Sequence, residues 1–184
     1  HSSFKDKVYM SNLCQEITLP TKPLQHIDDE EGEIALCILS AINVGTIKSL
    51  DDLDELCELA VRALEEIIDY QRYPIKAAEI STKARRSLGV GYIGLAHYLA
   101  KNHVKYEDKE AWKLVHDLTE AFQYYLLKAS NKLAQERGAC EYFNRTKYSD
   151  GILPIDTYKT DIDTIVENKL NYDWEALRVQ IREH

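Results

Sequence analysis

The sequence predicts an α/β chain that is rich in helix, and three observations carry that reading. Residues 34–44 form a nearly continuous apolar run closed by Gly45, the pattern of a strand buried on both faces, as parallel strands are. The stretches 50–71 and 107–137 repeat apolar residues at helical spacing, with 76–102 as a further helical region between them. Ahead of the strand, Ser11, Asn12, Leu13, Cys14, Gln15 and Glu16 run through Ile17, Thr18 and Leu19 into Pro20, Thr21, Lys22 and Pro23, a proline-stiffened extended loop.

Taken in order, residues 1–10 show no clear period, and Phe4, Val8 and Tyr9 are expected to anchor the approach to the loop. In an extended backbone side chains alternate faces, so Asn12, Cys14 and Glu16 project to one side and Leu13, Gln15 and Ile17 to the other. An amide, a thiol and a carboxylate then share a face. The nearest His is His26, past both prolines, and Glu16 is an anion that disfavours a thiolate, so a neutral thiol is expected at Cys14. A zinc site is a poor fit, since no second Cys or His stands at short spacing. On spacing alone Cys14 is also compatible with a small hydrophobe in a core, and with a nucleophilic thiolate that alkylates readily near neutral pH.

Residues 22–33, with Pro23, Gly32 and the acids Asp28, Asp29, Glu30 and Glu31, read as an exposed connection. Cys37 falls inside the apolar run, where composition alone makes it core filler. In 50–71 the stripe is Leu53, Leu56, Cys57, Ala60, Leu64, Ile67 and Ile68, capped by Ser49 or Asp51 and ended near Tyr73 and Pro74. Cys57 is assigned to packing. Within 76–102, Gly89, Gly91 and Gly94 satisfy G-x-G-x-x-G, but the polar stretch before them shows no strand, so close helix packing is preferred to dinucleotide binding.

The 107–137 helix places Trp112, Val115, Leu118, Phe122, Leu126, Ala129 and Leu133 near one face and stops at Gly138. His116 lies beside that face without a partner at metal spacing. Asp156 is expected to begin a short helix over 156–166, and Asp173 to cap a last one with Trp174, Leu177 and Ile181 inward.

The 184 residues suit one ordinary domain, and no internal repeat or low-complexity stretch divides them. A net charge of −8, with no basic cluster beyond Lys83, Arg85 and Arg86, argues against nucleic acid as a partner. No apolar run is long enough to cross a bilayer, no signal-peptide pattern opens the chain, and four irregularly spaced cysteines fit a reducing compartment. A cytoplasmic location is expected. Position 1 is His and the single Met is Met10, so the chain reads as a piece of something longer.

The string Ser11 to Glu16 with Ile17, Leu19, Pro20 and Thr21, followed by Gly32, Glu33, Ile34, Ala35, Leu36, Cys37, Ile38, Leu39, Ser40 and Ala41, closely resembles the large, catalytic subunit of class I ribonucleotide reductase, in the form carried by enteric bacteria and their large phages. The likeness continues through Arg85, Arg86, Ser87, Leu88 and Gly89, through Gln123 to Ser130, and through Gly138, Ala139 and Cys140. It runs on through Gly151 to Tyr158 and Tyr172 to Leu177. The resemblance implies the helix-rich middle of a ten-stranded α/β barrel of two half-barrels, with a finger loop threading its centre. It divides the chain into 1–33, finger and connection, and 34–184, second half-barrel segment with shell helices.

The resemblance further implies that Cys14 becomes a transient thiyl radical that removes the ribose 3′-hydrogen, that Glu16 is the base on the 3′-hydroxyl, and that Asn12 hydrogen-bonds the substrate's hydroxyl edge and Glu16. Leu13 joins these three in lining the substrate. Cys37 matches one member of a redox pair oxidised to a disulfide, its partner outside this chain. Adjacent Tyr124 and Tyr125 match a shell helix rather than the family's radical-relay tyrosines. No metal or cofactor is expected on this segment; the family holds a metal and tyrosyl radical in its small subunit and binds ATP or dNTP effectors elsewhere. The implied partners are the remaining large-subunit segments, the small radical-generating subunit, a nucleoside diphosphate, and thioredoxin or glutaredoxin. The rival from another class is a non-catalytic helical assembly module or split-subunit piece.

Overall fold

A computed structural model describes residues 4–11, 15, 18–157, 159, 161, 164, 165 and 169–184. Two strands, β1 (Ile38–Asn43) and β2 (Leu88–Ile93), pair in parallel with Ile38 opposite Leu88 and Asn43 opposite Ile93. Between them run α1 (Asp52–Tyr70) and α2 (Lys76–Arg85), and after them α3 (Leu95–Lys101), α4 (Lys109–Arg137) and α5 (Trp174–Glu183). A parallel pair needs a long crossover, and α1 with α2 supplies it.

The strand is shorter than the apolar run that announces it, and Cys37 lies just before β1 rather than inside it. Nor is β1 buried on both faces: Ile42 is buried while Leu39 is 61% exposed. One face, with Ile42, Val90 and Tyr92, packs against Leu53 and Cys57 of α1 and Leu118, Ala121 and Phe122 of α4. The opposite face, with Leu39, Ala41 and Ile93, is open.

Helix α1 forms because Leu53, Cys57, Val61, Leu64 and Ile68 recur every three or four residues, and all are buried. Ile67, expected on this stripe, is exposed, because it stands one position round from Ile68. The start is secured differently from expectation. Asp51 occupies the cap position without a side-chain bond, and the Asp52 carboxylate accepts from the Lys48 and Ser49 amides at 2.7 and 3.1 Å. Its first-turn acids Asp52, Asp54 and Glu55 face the positive end of the dipole as expected.

The largest difference lies in 76–102. Helix α2 ends at Arg85, where Arg86 takes the left-handed φ of 49°, and Leu88–Ile93 is a strand rather than helix. The glycines are therefore strand and cap residues, not a helix-packing seam. A Cβ on Gly89 would collide with Leu39 Cδ2 across the ladder and stand 3.1 Å from Cys37 Sγ. Gly94 opens α3 at φ 81° beside Asn43 Oδ1, with no room for a Cβ.

Helices α1 and α4 run parallel, since their ion pairs climb in step: Asp54 with Lys128 at 2.7 Å, Glu58 with Lys132 at 2.8 Å, and Arg62 with Glu136 at 2.6 Å. Leu118, Phe122, Ala129 and Leu133 are buried and Gly138 ends the helix, as its spacing predicts. Trp112 is 42% exposed, its indole N–H donating to Tyr106 O at 2.8 Å instead of packing inward. His116 lies at the helix edge with Nδ1 3.4 Å from Asp117.

Asp173 caps α5 by accepting from the Ala176 amide at 2.9 Å, and Trp174, Leu177 and Ile181 are buried with Leu127 and Leu153. Asp156 belongs to a short 3-10 helix, Pro154–Thr157; much of the expected 156–166 helix falls outside the described residues. No helix among the described residues is long and apolar enough to cross a membrane.

Candidate active site

Asn12, Leu13, Cys14 and Glu16 lie outside the described residues, while the chain on either side of them is placed. Gln15 between them is exposed and has φ of 62°, so the stretch is not uniformly extended there. The alternation argument therefore does not run unbroken through the loop. Non-glycine residues held in the left-handed region cluster at functional sites because the surroundings must impose them.

Cys37 stands at the head of β1, half-buried, its Sγ beside the missing Cβ of Gly89. It lines a cavity of about 490 Å³. Phe4 and Leu19, from the two ends of the finger stretch, line the same cavity with Leu88, Gly89 and Cys140. The thiol thus shares a cavity with residues that precede and follow the stretch 11–17. A small residue at 89 is what admits a sulfur from the residue just before the neighbouring strand. The strand period alone does not reveal this, because two glycines hide the alternation of Leu88, Val90 and Tyr92.

The other described thiols differ. Cys57 is fully buried in the core, as expected, and burial with help from Asp54 pushes its pKa up to about 12. Cys140 is half-buried in the cavity wall, and burial raises its pKa as well. Among the described residues no three His, Cys, Asp or Glu side chains gather closely enough to hold a metal ion.

Arg85, which lines this cavity, belongs to a cluster that sequence spacing does not announce. Arg85 and Arg145 meet Asp6 and Glu33, four residues drawn from α2, the loop after α4, the N-terminal segment and the approach to β1. Burial pushes the Asp6 carboxyl up, but the Arg145 and Arg85 guanidiniums outweigh it and hold it below the usual carboxylate range. Of the residues expected to anchor the N-terminal approach, Phe4 is buried under Arg85, whereas Tyr9 is 65% exposed.

Tyr124 and Tyr125 stack into an aromatic group with Tyr172 and Trp174, with Tyr124 and Tyr172 centroids 4.6 Å apart. Glu120, buried beside them, accepts from the Asn171 amide at 2.9 Å and the Trp174 indole at 3.0 Å, and so ties the segment before α5 to α4.

The comparisons agree with this architecture. Residues 1–184 match the family model described as "Ribonucleotide reductase, barrel domain". The chain is 61% identical over 186 residues to the ribonucleoside-diphosphate reductase subunit alpha of Haemophilus influenzae, covering 100% of this chain and 25% of that protein. It is 60% identical over 177 residues to the ribonucleoside-diphosphate reductase 1 subunit alpha of Escherichia coli, covering 96% of this chain and 23% of that protein. Against the subunit alpha of Enterobacteria phage T4 it is 44% identical over 180 residues, 97% of this chain and 23% of that one. It spans about a quarter of the length of the relatives it matches. A parallel βαβ unit with a half-buried thiol at the head of its first strand, and a match across every residue, lead to one conclusion: this chain belongs to the ribonucleotide reductase barrel-domain family.

Proposed function

We propose that this chain is the central, catalytic part of a ribonucleoside-diphosphate reductase large subunit, converting ribonucleoside diphosphates to 2′-deoxyribonucleoside diphosphates for DNA precursor synthesis. The observation that carries the reading is the likeness to subunit alpha proteins over the whole chain, including the stretch Ser11 to Glu16 and Cys37. In this reading 1–33 is the finger with its connection, and 34–184 belongs to a half-barrel with its shell helices.

The chemistry replaces a C2′–O bond by C2′–H and releases water, which takes two electrons and two protons. Oxidation of two thiols to a disulfide supplies both pairs, and Cys37 is one of those thiols, its partner lying on a segment outside this chain. Removal of the 2′-hydroxyl is made accessible by first taking the 3′-hydrogen atom: the Cys14 sulfur, as a thiyl, accepts it, S–H forming as C3′–H breaks. Glu16 takes the 3′-hydroxyl proton and Asn12 orients that hydroxyl edge, with Leu13 against the substrate. A small radical-generating subunit supplies the oxidising equivalent, and thioredoxin or glutaredoxin re-reduces the disulfide. A closed site suits such chemistry because it keeps water and small thiols from quenching the intermediate.

The half-buried position of Cys37 beside Gly89, on the cavity shared with both finger ends, favours this reading over an assembly module, which needs no thiol there. The test is nucleoside diphosphate reduction with the small subunit and a dithiol, by the chain alone and with the segments that its relatives carry on either side. Turnover is expected only in the assembled case. An assembled enzyme that binds the small subunit and does not reduce the substrate contradicts the proposal.

A further inference from the structure

Both ends of the candidate finger are held by the same two guanidiniums. Arg85, 4% exposed at the end of α2, donates from Nη1 to Asp6 Oδ2 at 3.0 Å and from Nε to Glu33 Oε2 at 3.1 Å; its Nη2 bonds that Glu33 oxygen too. Arg145 donates from Nε to the same Asp6 oxygen at 2.9 Å and lies 3.4 Å from Glu33 Oε1. The Arg85 guanidinium lies 4.8 Å from the Phe4 ring centre and 5.1 Å from that of Tyr142, while Arg145 lies 4.1 Å from Tyr142. Asp6 precedes the finger in sequence, and Glu33 follows it.

The main chain repeats the arrangement. Upstream, Phe4 bridges Thr146 and the Lys5 amide donates to Arg145 O at 2.8 Å. Downstream, Lys22 and Glu33 exchange both amide bonds, at 3.1 and 3.0 Å. Glu33 also lies four positions before Cys37. A two-plus-two set of charges at such burial adds little net stability over an apolar replacement, because desolvation offsets the attraction. It does fix geometry, since planar forks bind carboxylates in set directions.

We propose that Arg85 and Arg145 are positioning residues: by binding Asp6 and Glu33 together they fix where the stretch that carries Cys14 and Glu16 leaves and rejoins the barrel segment that carries Cys37. This rests on the proposed reductase reading. A reacting atom displaced by an ångström costs on the order of 10²-fold in rate, so pinning both ends of a loop has a direct catalytic value.

The test is made in the assembled enzyme with Asp6→Asn, Arg85→Lys and Arg85→Met, reading kcat, KM for the nucleoside diphosphate, and hydrogen exchange across residues 7–32. Asp6→Asn is expected to lower kcat by about 10- to 100-fold with KM within about threefold, and to raise exchange in 7–32 but not in α1 or α4. Arg85→Met is expected to do more and Arg85→Lys to recover part of the loss, because an ammonium keeps the charge without the fork. If Arg85→Met does not fold, half-buried Asp6→Asn decides. Unchanged kcat and exchange overturn the proposal, and so does a loss of kcat that only follows general exchange throughout the chain. Cys14→Ser in the same assembly separates the two readings: turnover retained there refutes the reductase reading, while the exchange over 7–32 still judges the clasp.

Discussion

Single residues set what each thiol can do. Cys57 sits in the core with its pKa up at about 12, and burial raises Cys140 too, so neither is a thiolate near neutral pH. Both are expected to alkylate slowly with iodoacetamide at pH 7.5 in the folded protein, checked by peptide mass spectrometry; fast stoichiometric labelling of Cys57 contradicts its place in the core. For Cys37, mass spectrometry of the oxidised, assembled enzyme is expected to find it bridged to a cysteine outside this chain, and a Cys37 never found in a disulfide removes it from the redox pair. Glu16→Gln is expected to slow reduction by about 10² to 10⁴, the size of a general-base contribution, and an unchanged rate makes the carboxylate structural. The family was legible in the motif around Cys14 and Cys37, which the match over residues 1–184 bears out. The role of Gly89 was not, because a missing side chain shows its purpose only when the opposite strand is in place.

Elements were legible where one periodicity ran uninterrupted. Apart from Ile67 and Trp112, which are exposed, the stripes of α1, α4 and α5 lie where their spacing puts them, since each buries a face against a neighbour. Strand β2 was missed because its partner β1 lies 50 positions earlier in the register, and Gly89 and Gly91 remove half of its alternation. Leu118, fully buried between α4 and the sheet, is expected to cost about 2–5 kcal/mol when changed to Ala, read from the denaturation midpoint. A shift under about 0.5 kcal/mol is inconsistent with that packing. Glu120→Gln replaces one accepting oxygen by a donor facing the Asn171 and Trp174 N–H groups, so a loss of about 1–3 kcal/mol and earlier exchange in α5 are expected. Exchange in α5 identical to wild type contradicts its anchoring role.

At the scale of the whole molecule, charge placement predicts how stability follows pH. Asp69 and Asp156 are held below the usual carboxylate range by Arg86 and Arg178, and in Asp6 the guanidiniums of Arg145 and Arg85 outweigh burial. Unfolded carboxyls of this type titrate near pH 3.9, so the unfolded chain binds protons first as pH falls. Their stabilisation is therefore present in full above about pH 5 and is lost as pH drops through the folded values. Melting temperature is expected to fall below about pH 4 and stay level between about pH 5 and 7; a steep decline inside the upper range contradicts the assignment. The clasp of Asp6, Glu33, Arg85 and Arg145 was invisible in sequence, because its members span 139 positions from Asp6 to Arg145 and meet only through the fold.

The central claim is that this chain brings a hydrogen-abstracting sulfur to a nucleoside diphosphate. It is tested most directly by Cys14→Ser in the assembled enzyme, reading deoxyribonucleotide formation beside substrate affinity. Turnover is expected to vanish while affinity stays within about threefold, since the sulfur acts in the chemical step. Continued formation of the deoxyribonucleotide contradicts it.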